Sequence, residues 1–331
     1  MRKFLFAITI ALMACTEATA GAVIKIATVA PDGTAWMREM RAGADAVRKG
    51  TDGRVEIKYY PGGVMGDEPT VLRKIKIGQL QGGAFTGGEL SPVDKNAQIY
   101  SLPFLFRTQE EVDKVRAQLD AALKKSFQQS GFECLGISGG GFAYLMSVRD
   151  IRNKEDLKAA KVWVPQGDRI AEAGFKAGGV TPIPLPLADV YTSLQTGLID
   201  TATNTPAGAI AFQWHTKIRH MVDLPLSYVV GILVVDKKAF DALSADDQKV
   251  LSAEIGAAFS RLEKINRDDN EQARAVLQKQ GIAIFKPNAA EIESWEAIGV
   301  AARRQLMADN AVAPEMAAAL DKALAAARAG K

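Results

Sequence analysis

The chain has 331 residues, 48% of them hydrophobic, 24% charged and 7% aromatic, and its formal net charge is +3. This is the composition of a globular protein with ample apolar surface; it excludes disordered and fibrous classes, and with no arginine-rich run it leaves nucleic acid without support as a partner. Single cores stop growing near roughly 250 to 300 residues, so two domains are expected.

The first twenty residues stand apart. Arg2 and Lys3 precede an apolar run from Phe4 to Ala14, and Ala18-Thr19-Ala20 precede Gly21. Basic, apolar and small segments in that order read as a secretory signal peptide, cleaved before Gly21. The apolar run is too short to span a bilayer, which takes about 20 residues. Leu12-Met13-Ala14-Cys15 loosely resembles a lipoprotein box, an alternative anchoring at Cys15. Cleavage at Ala20 leaves Cys134 as the one cysteine, so the mature protein is expected to rely on packing without an internal disulfide.

Val23 to Val29 reads as a buried strand. Asp32 and Thr34 offer caps for a helix from Ala35 to Lys49, with Trp36, Met40, Ala44 and Val47 on one face. Val55 to Tyr60 is a second strand, closed by Pro61-Gly62-Gly63. Next comes a helix from Asp67 to Ile77, a Gly78 stop and a strand from Leu80 to Phe85. The same grammar returns as a helix from Leu187 to Thr196, a Gly197 stop and a strand from Leu198 to Thr203. With a constant offset, Val71, Ile75, Gly78 and Leu80 match Val190, Leu194, Gly197 and Ile199. One βα unit used in two similar α/β domains is expected, with strand ends facing a shared cleft.

Cys134 to Ile137 and Ala143 to Val148 read as strands flanking a flexible Gly139-Gly140-Gly141 hinge. A helix from Ala209 to Met221 is expected to carry both histidines, His215 and His220. Tyr228 to Val235 is strand-like, and Asp236 caps a helix. Ser244 to Lys279 reads as one or two long helices, about 50 Å in all and long enough to span both domains. The Ala-rich last forty residues read as a packing helix.

Gly136-Ile137-Ser138-Gly139-Gly140 matches the nucleophile elbow of serine hydrolases, with Asp189 or Asp200 and His215 or His220 downstream. The elbow needs a strand-to-helix turn, whereas Tyr144-Leu145-Met146-Ser147 is β-like, so a hydrolase using Ser138 is the disfavoured alternative. Two histidines five apart do not stack on a helix face, so no metal is expected. No phosphate-binding glycine loop occurs, and no cofactor is expected. What stands out is Trp36, Phe85, Tyr144, Trp163, Asn204 and Trp214 at predicted loop or strand ends, where an apolar pocket with few polar groups would lie.

Ile24 to Val29, Pro61-Gly62-Gly63 with Gly66, Ile77-Gly78-Gln79-Leu80, Leu102-Pro103-Phe104-Leu105-Phe106, Leu157 to Pro165 and Leu194 to Asp200 resemble the solute-binding proteins of tripartite ATP-independent periplasmic (TRAP) transporters, the DctP type. The resemblance implies a two-domain α/β periplasmic receptor with hinge strands, a long helix bracing both domains and closure on a ligand. It implies a binding protein, not an enzyme, partnered by TRAP membrane permease subunits and expected as a monomer. Residues 21–137, with 225–265 returning to them, are expected as one domain, and 138–224, with part of 266–331, as the other. Most relatives carry an Arg in the strand K-[IV]-R-V-P and clamp a ligand carboxylate with it; this chain has Lys161-Val162-Trp163-Val164-Pro165. A second Arg is common after Gly-Phe of the preceding strand, where this chain has Ala143. Asn204 falls where the family often has a pocket Asn. These departures point to a more apolar or uncharged ligand held by Trp163, Tyr144, Phe85 and Trp36, and aromatic faces also suit a cation. Alternatives are a conventional organic-acid receptor using Arg169, and a receptor serving a sensor or an associated lipoprotein.

Overall fold

The computed structural model describes residues 21–329; the signal-peptide and Cys15 readings lie outside the described residues. The chain opens with β1 (Ala22–Thr28), α1 (Ala35–Gly50), β2 (Val55–Tyr60), α2 (Glu68–Lys76) and β3 (Gly82–Thr86). β1 pairs parallel with both β2 and β3, giving the order β2-β1-β3. The local chemistry explains the boundaries. Thr34 accepts the Met37 N–H and Asp67 the Thr70 N–H, satisfying helix starts. Gly78, at φ +76°, turns the chain after α2 in a conformation that a Cβ would disfavour.

A long helix α3 (Gln109–Gln129) then leads into β4 (Phe132–Ser147), followed by α4 (Lys154–Lys158), β5 (Trp163–Pro165), α5 (Arg169–Ala177), β6 (Ile183–Leu185), α6 (Val190–Thr196) and β7 (Thr201–Asn204). β5 pairs parallel with β6, and a parallel bridge from Val162 to Thr201 joins β5 to β7. The order β6-β5-β7 thus repeats β2-β1-β3, and Gly197 repeats Gly78 with φ +74°. β3 lies antiparallel to β9 (Ser227–Asp236), and β7 antiparallel to β4. The expected repeat is present, one unit in each lobe.

The remaining elements are α7 (Pro206–Ala211), β8 (His220–Val222), α8 (Lys237–Asp241), α9 (Ala245–Lys279), β10 (Ala283–Phe285), α10 (Ala289–Ala308) and α11 (Pro314–Ala329). β4 and β9 cross between the lobes as an antiparallel pair from Phe132↔Asp236 to Ala143↔Ser227. α9 packs on α1 of the first lobe, on β4, and on α7 of the second. α10 packs on α5, and α11 returns to α3. Apolar clusters fill both faces of each lobe's sheet. Among the described residues no helix is long and apolar enough to cross a membrane.

Three expectations need correction. The segments either side of Gly139-Gly140-Gly141 are one 16-residue strand, because the glycine backbone keeps pairing with β9; the irregularity is confined to register shifts at Cys134/Gly136 and Gly139/Gly141. The helix expected to carry both histidines stops at Ala211, since Gln213 adopts a left-handed φ of +61°; His215 lies in a 3-10 turn and His220 in β8. The C-terminal region is two helices, broken by Asn310 at φ +51° and restarted at Pro314.

Candidate functional site

The ends of β1, β3, β5 and β7 converge on a cavity of about 590 Å³, walled by both lobes, the crossing strands, α9 and α10. Parallel strands running in repeated units deliver their carboxyl ends to the same side, which is where open α/β sheets hold ligands.

Trp163 lies in the cavity wall at the start of β5 and is 3% exposed. Its indole N–H donates to the Leu185 carbonyl at 2.9 Å, and its ring stands edge-on to Trp214 with centroids 5.4 Å apart. The polar atom is therefore spent on the neighbouring strand, and only ring surface is left for a ligand. Trp36, on the first turn of α1, lies over Gly231 of β9, where any Cβ would collide with the ring, and meets Phe259 edge-on at 6.0 Å. Phe85, at the end of β3, also lines the cavity. Asn204 ends β7 and rests on Gly208 at the start of α7. Its Oδ1 accepts the Thr205 N–H at 2.8 Å, while its Nδ2 has no partner among the described residues and is free to donate into the cavity.

The other residues singled out in the sequence lie elsewhere. Trp214 is fully buried behind Trp163 and supports it. Tyr144 leaves the cavity wall and faces Arg274, whose guanidinium stands 5.7 Å from the ring centroid; burial raises its phenol above the ordinary range. Arg169 is exposed on the first turn of α5 and is not among the lining residues. Asp168 before it caps the helix through the Ala171 N–H, which fixes that turn and leaves Asp168, not Arg169, facing the cavity.

The hydrolase alternative loses its geometry. Ser138 is fully buried in mid-strand opposite Gly231, and its Oγ has no hydrogen-bond partner. An elbow requires an exposed hydroxyl on a sharp turn with a base in reach. Among the described residues no group of three or more His, Cys, Asp or Glu is placed to hold a metal ion.

Sequence reasoning missed the polar lining. Glu89, on the loop after β3, is 7% exposed and accepts the Thr86 N–H at 2.7 Å. Burial and the neighbouring Glu68 carboxyl hold it well above the usual carboxylate range. Burial also raises Asp168. Asn266, Asp269 and Gln272 of α9 add to this polar lining, and Arg38 is the one cation among the lining residues. Arg38 is exposed and donates to the Gly33 carbonyl at 2.6 Å. The signal for Glu89 was its position in Gly87-Gly88-Glu89, directly after a strand ending in the cleft.

Comparison with known proteins agrees with this architecture. Residues 26–309 match the family profile DctP, described as bacterial extracellular solute-binding protein, family 7. The C4-dicarboxylate-binding periplasmic protein DctP of Rhodobacter capsulatus is 24% identical over 285 residues, covering 83% of this chain and 84% of that protein. The ectoine/5-hydroxyectoine-binding periplasmic protein UehA of Ruegeria pomeroyi is 26% identical over 260 residues, covering 72% and 75%. The crystal structure of the sugar acid binding protein DctPAm from Advenella mimigardefordensis in complex with galactonate superposes with a TM-score of 0.85 at 20% identity, over 94% of this chain and 99% of that one. The match covers most of the chain, and the chain belongs to the DctP family of bacterial extracellular solute-binding proteins, a family of binding proteins.

Proposed function

We propose that this protein is a periplasmic receptor that holds a small ligand between its lobes through apolar surface, without a carboxylate clamp, and hands it to the membrane permease subunits of a TRAP transporter. In this reading it acts as a monomer, with 21–137 and 225–265 forming one domain and 138–224, with part of 266–331, the other. Trp163 carries the proposal: the resemblance puts a carboxylate-binding Arg there, and this chain puts a ring whose N–H is already bonded to Leu185. An anion taken from water into that wall without a paired cation costs several kcal/mol. Trp36 and Phe85 add aromatic area, and Asn204 orients the ligand through its open Nδ2.

The test is mass spectrometry of whatever co-purifies with the mature protein isolated without refolding, with Trp163→Arg as comparison. A compound lacking a carboxylate, lost in the variant, is the expected result. A small organic acid retained by both proteins would overturn the reading and return the chain to the organic-acid ligands named for the Rhodobacter and Advenella relatives.

A further inference from the structure

The charged lining of the cavity is one-sided. Glu89, Asp168 and Asp269 contribute three carboxyl groups, against the single guanidinium of Arg38. Arg38 is exposed and already donates to Gly33, so it stands at the rim. Glu89 is the deeply buried lining member at 7% exposure, and its carboxyl meets that of Glu68, also at 7%, behind it. A buried carboxyl facing an apolar cavity is held protonated in the empty protein, and a cation brought to it lowers the cost of its ionised form. Aromatic faces, the other main component of this wall, attract the same kind of group.

Resting on the carboxylate-free reading above, we infer that the ligand's polar end is a protonated amine seated at Glu89, with the aromatic walls enclosing the remainder. Glu89 supplies charge and a hydrogen-bond acceptor through a loop fixed by the Thr86 N–H. Trp163 and Phe85 supply ring faces. The elevated carboxyl of Glu89 supports the assignment, because a group held uncharged by burial regains its ionised form when a cation arrives.

The experiment titrates the full mature protein calorimetrically with phenethylamine, phenethyl alcohol and 3-phenylpropionate, three probes sharing a ring and a two-carbon spacer. The amine is expected to bind about tenfold or more tightly than the acid, a difference of ~1.4 kcal/mol. In Glu89→Gln, which keeps shape and removes charge, that preference should fall below about threefold. Equal or tighter binding of the acid by the wild type overturns the inference and the carboxylate-free reading together. Equal binding of amine and alcohol, unmoved by Glu89→Gln, overturns the inference alone and leaves that reading standing. A preference that survives Glu89→Gln overturns the assignment to Glu89, and so does absence of amine binding at about 10 mM.

Discussion

At Trp163 a bulky side chain has its one polar atom tied to Leu185 and its ring braced by Trp214, so the position tolerates charge poorly. Trp163→Arg is expected to lower stability by on the order of 3 kcal/mol by placing an unpaired cation against buried aromatics, and to weaken the native ligand. Thermal unfolding and ligand titration check both, and unchanged affinity would put Trp163 outside the ligand's reach. Glu89 works in the opposite direction. Its folded carboxyl titrates above the unfolded value, raised first by burial and then by Glu68, so its contribution to stability is complete below about pH 4.3 and is lost as pH rises through the folded pKa. Glu89→Gln should therefore raise the Tm of the ligand-free protein at pH 7 and change it little at pH 4. Cys134 is a simpler case: burial pushes its thiol up to about 12, so a disulfide-exchange reagent at pH 8 should label it only after unfolding. Trp163, Asn204, Phe85 and Trp36 could be picked out from residue type and loop position. Arg169 against Asp168 could not, because which of two neighbours at a helix start faces a cavity depends on how the helix docks.

The glycine run of β4 shows the same limit for whole elements. Three glycines between apolar segments read as a break, yet α9 holds them inside one strand. Glu263 accepts the Gly139 N–H at 2.9 Å, Asn266 donates to the Gly139 carbonyl at 2.8 Å, and Asn270 donates to the Gly140 carbonyl at 2.7 Å. These three residues share one helix face at spacings of three and four. The length of α9 was readable from its unbroken helical pattern, but between Leu262 and Ala273 its buried face carries Asn266, and hydropathy says nothing about which backbone an amide will meet. Asn270 also accepts the Ala207 N–H at 3.1 Å, tying the crossing strand to α7 beside the cavity. Asn270→Ala removes both ties and is expected to cost about 1–2 kcal/mol and to alter the open–closed balance, seen as a changed radius of gyration of the ligand-free protein by small-angle scattering. Although burial pushes Glu263 up, Arg116 at 2.6 Å and the Gly139 N–H hold it below the usual range. Its stabilisation is therefore present above about pH 4.3 and lost as pH falls through its folded value. Glu263→Gln should destabilise at pH 7, and by less at pH 3.

Across the whole molecule, two copies of one strand-and-helix unit face each other across the cavity, and closure on a ligand is expected to depend on their contact. Gly88 of the first lobe lies against the Asp168 carboxyl of the second, and Gly174 against Pro103, with no room for a Cβ at Gly88. Gly88→Val should hold the lobes apart, enlarge the ligand-free protein in scattering, and weaken ligand binding by about tenfold or more, since affinity falls with the population of the closed state. Unchanged compactness and affinity would show that this contact does not govern closure. The repeat that builds these faces was visible in the matched glycine stops and apolar positions. The strand pairing between distant segments was not, because register across the crossing pair is set by contacts that no local window contains.

The packing of α11 on α3 has a kinetic consequence. Met316, Leu320, Ala323 and Ala327 complete the apolar cluster that Val112, Val115 and Leu119 begin some two hundred residues earlier, and Arg328 donates to the Leu105 carbonyl from 223 positions away. The first lobe therefore cannot close its core until nearly the whole polypeptide has been made, and contacts this remote in sequence form slowly. Until α11 has been made, the apolar face that α3 offers it has no cover, so the last residues synthesised are the ones that seal this part of the first lobe.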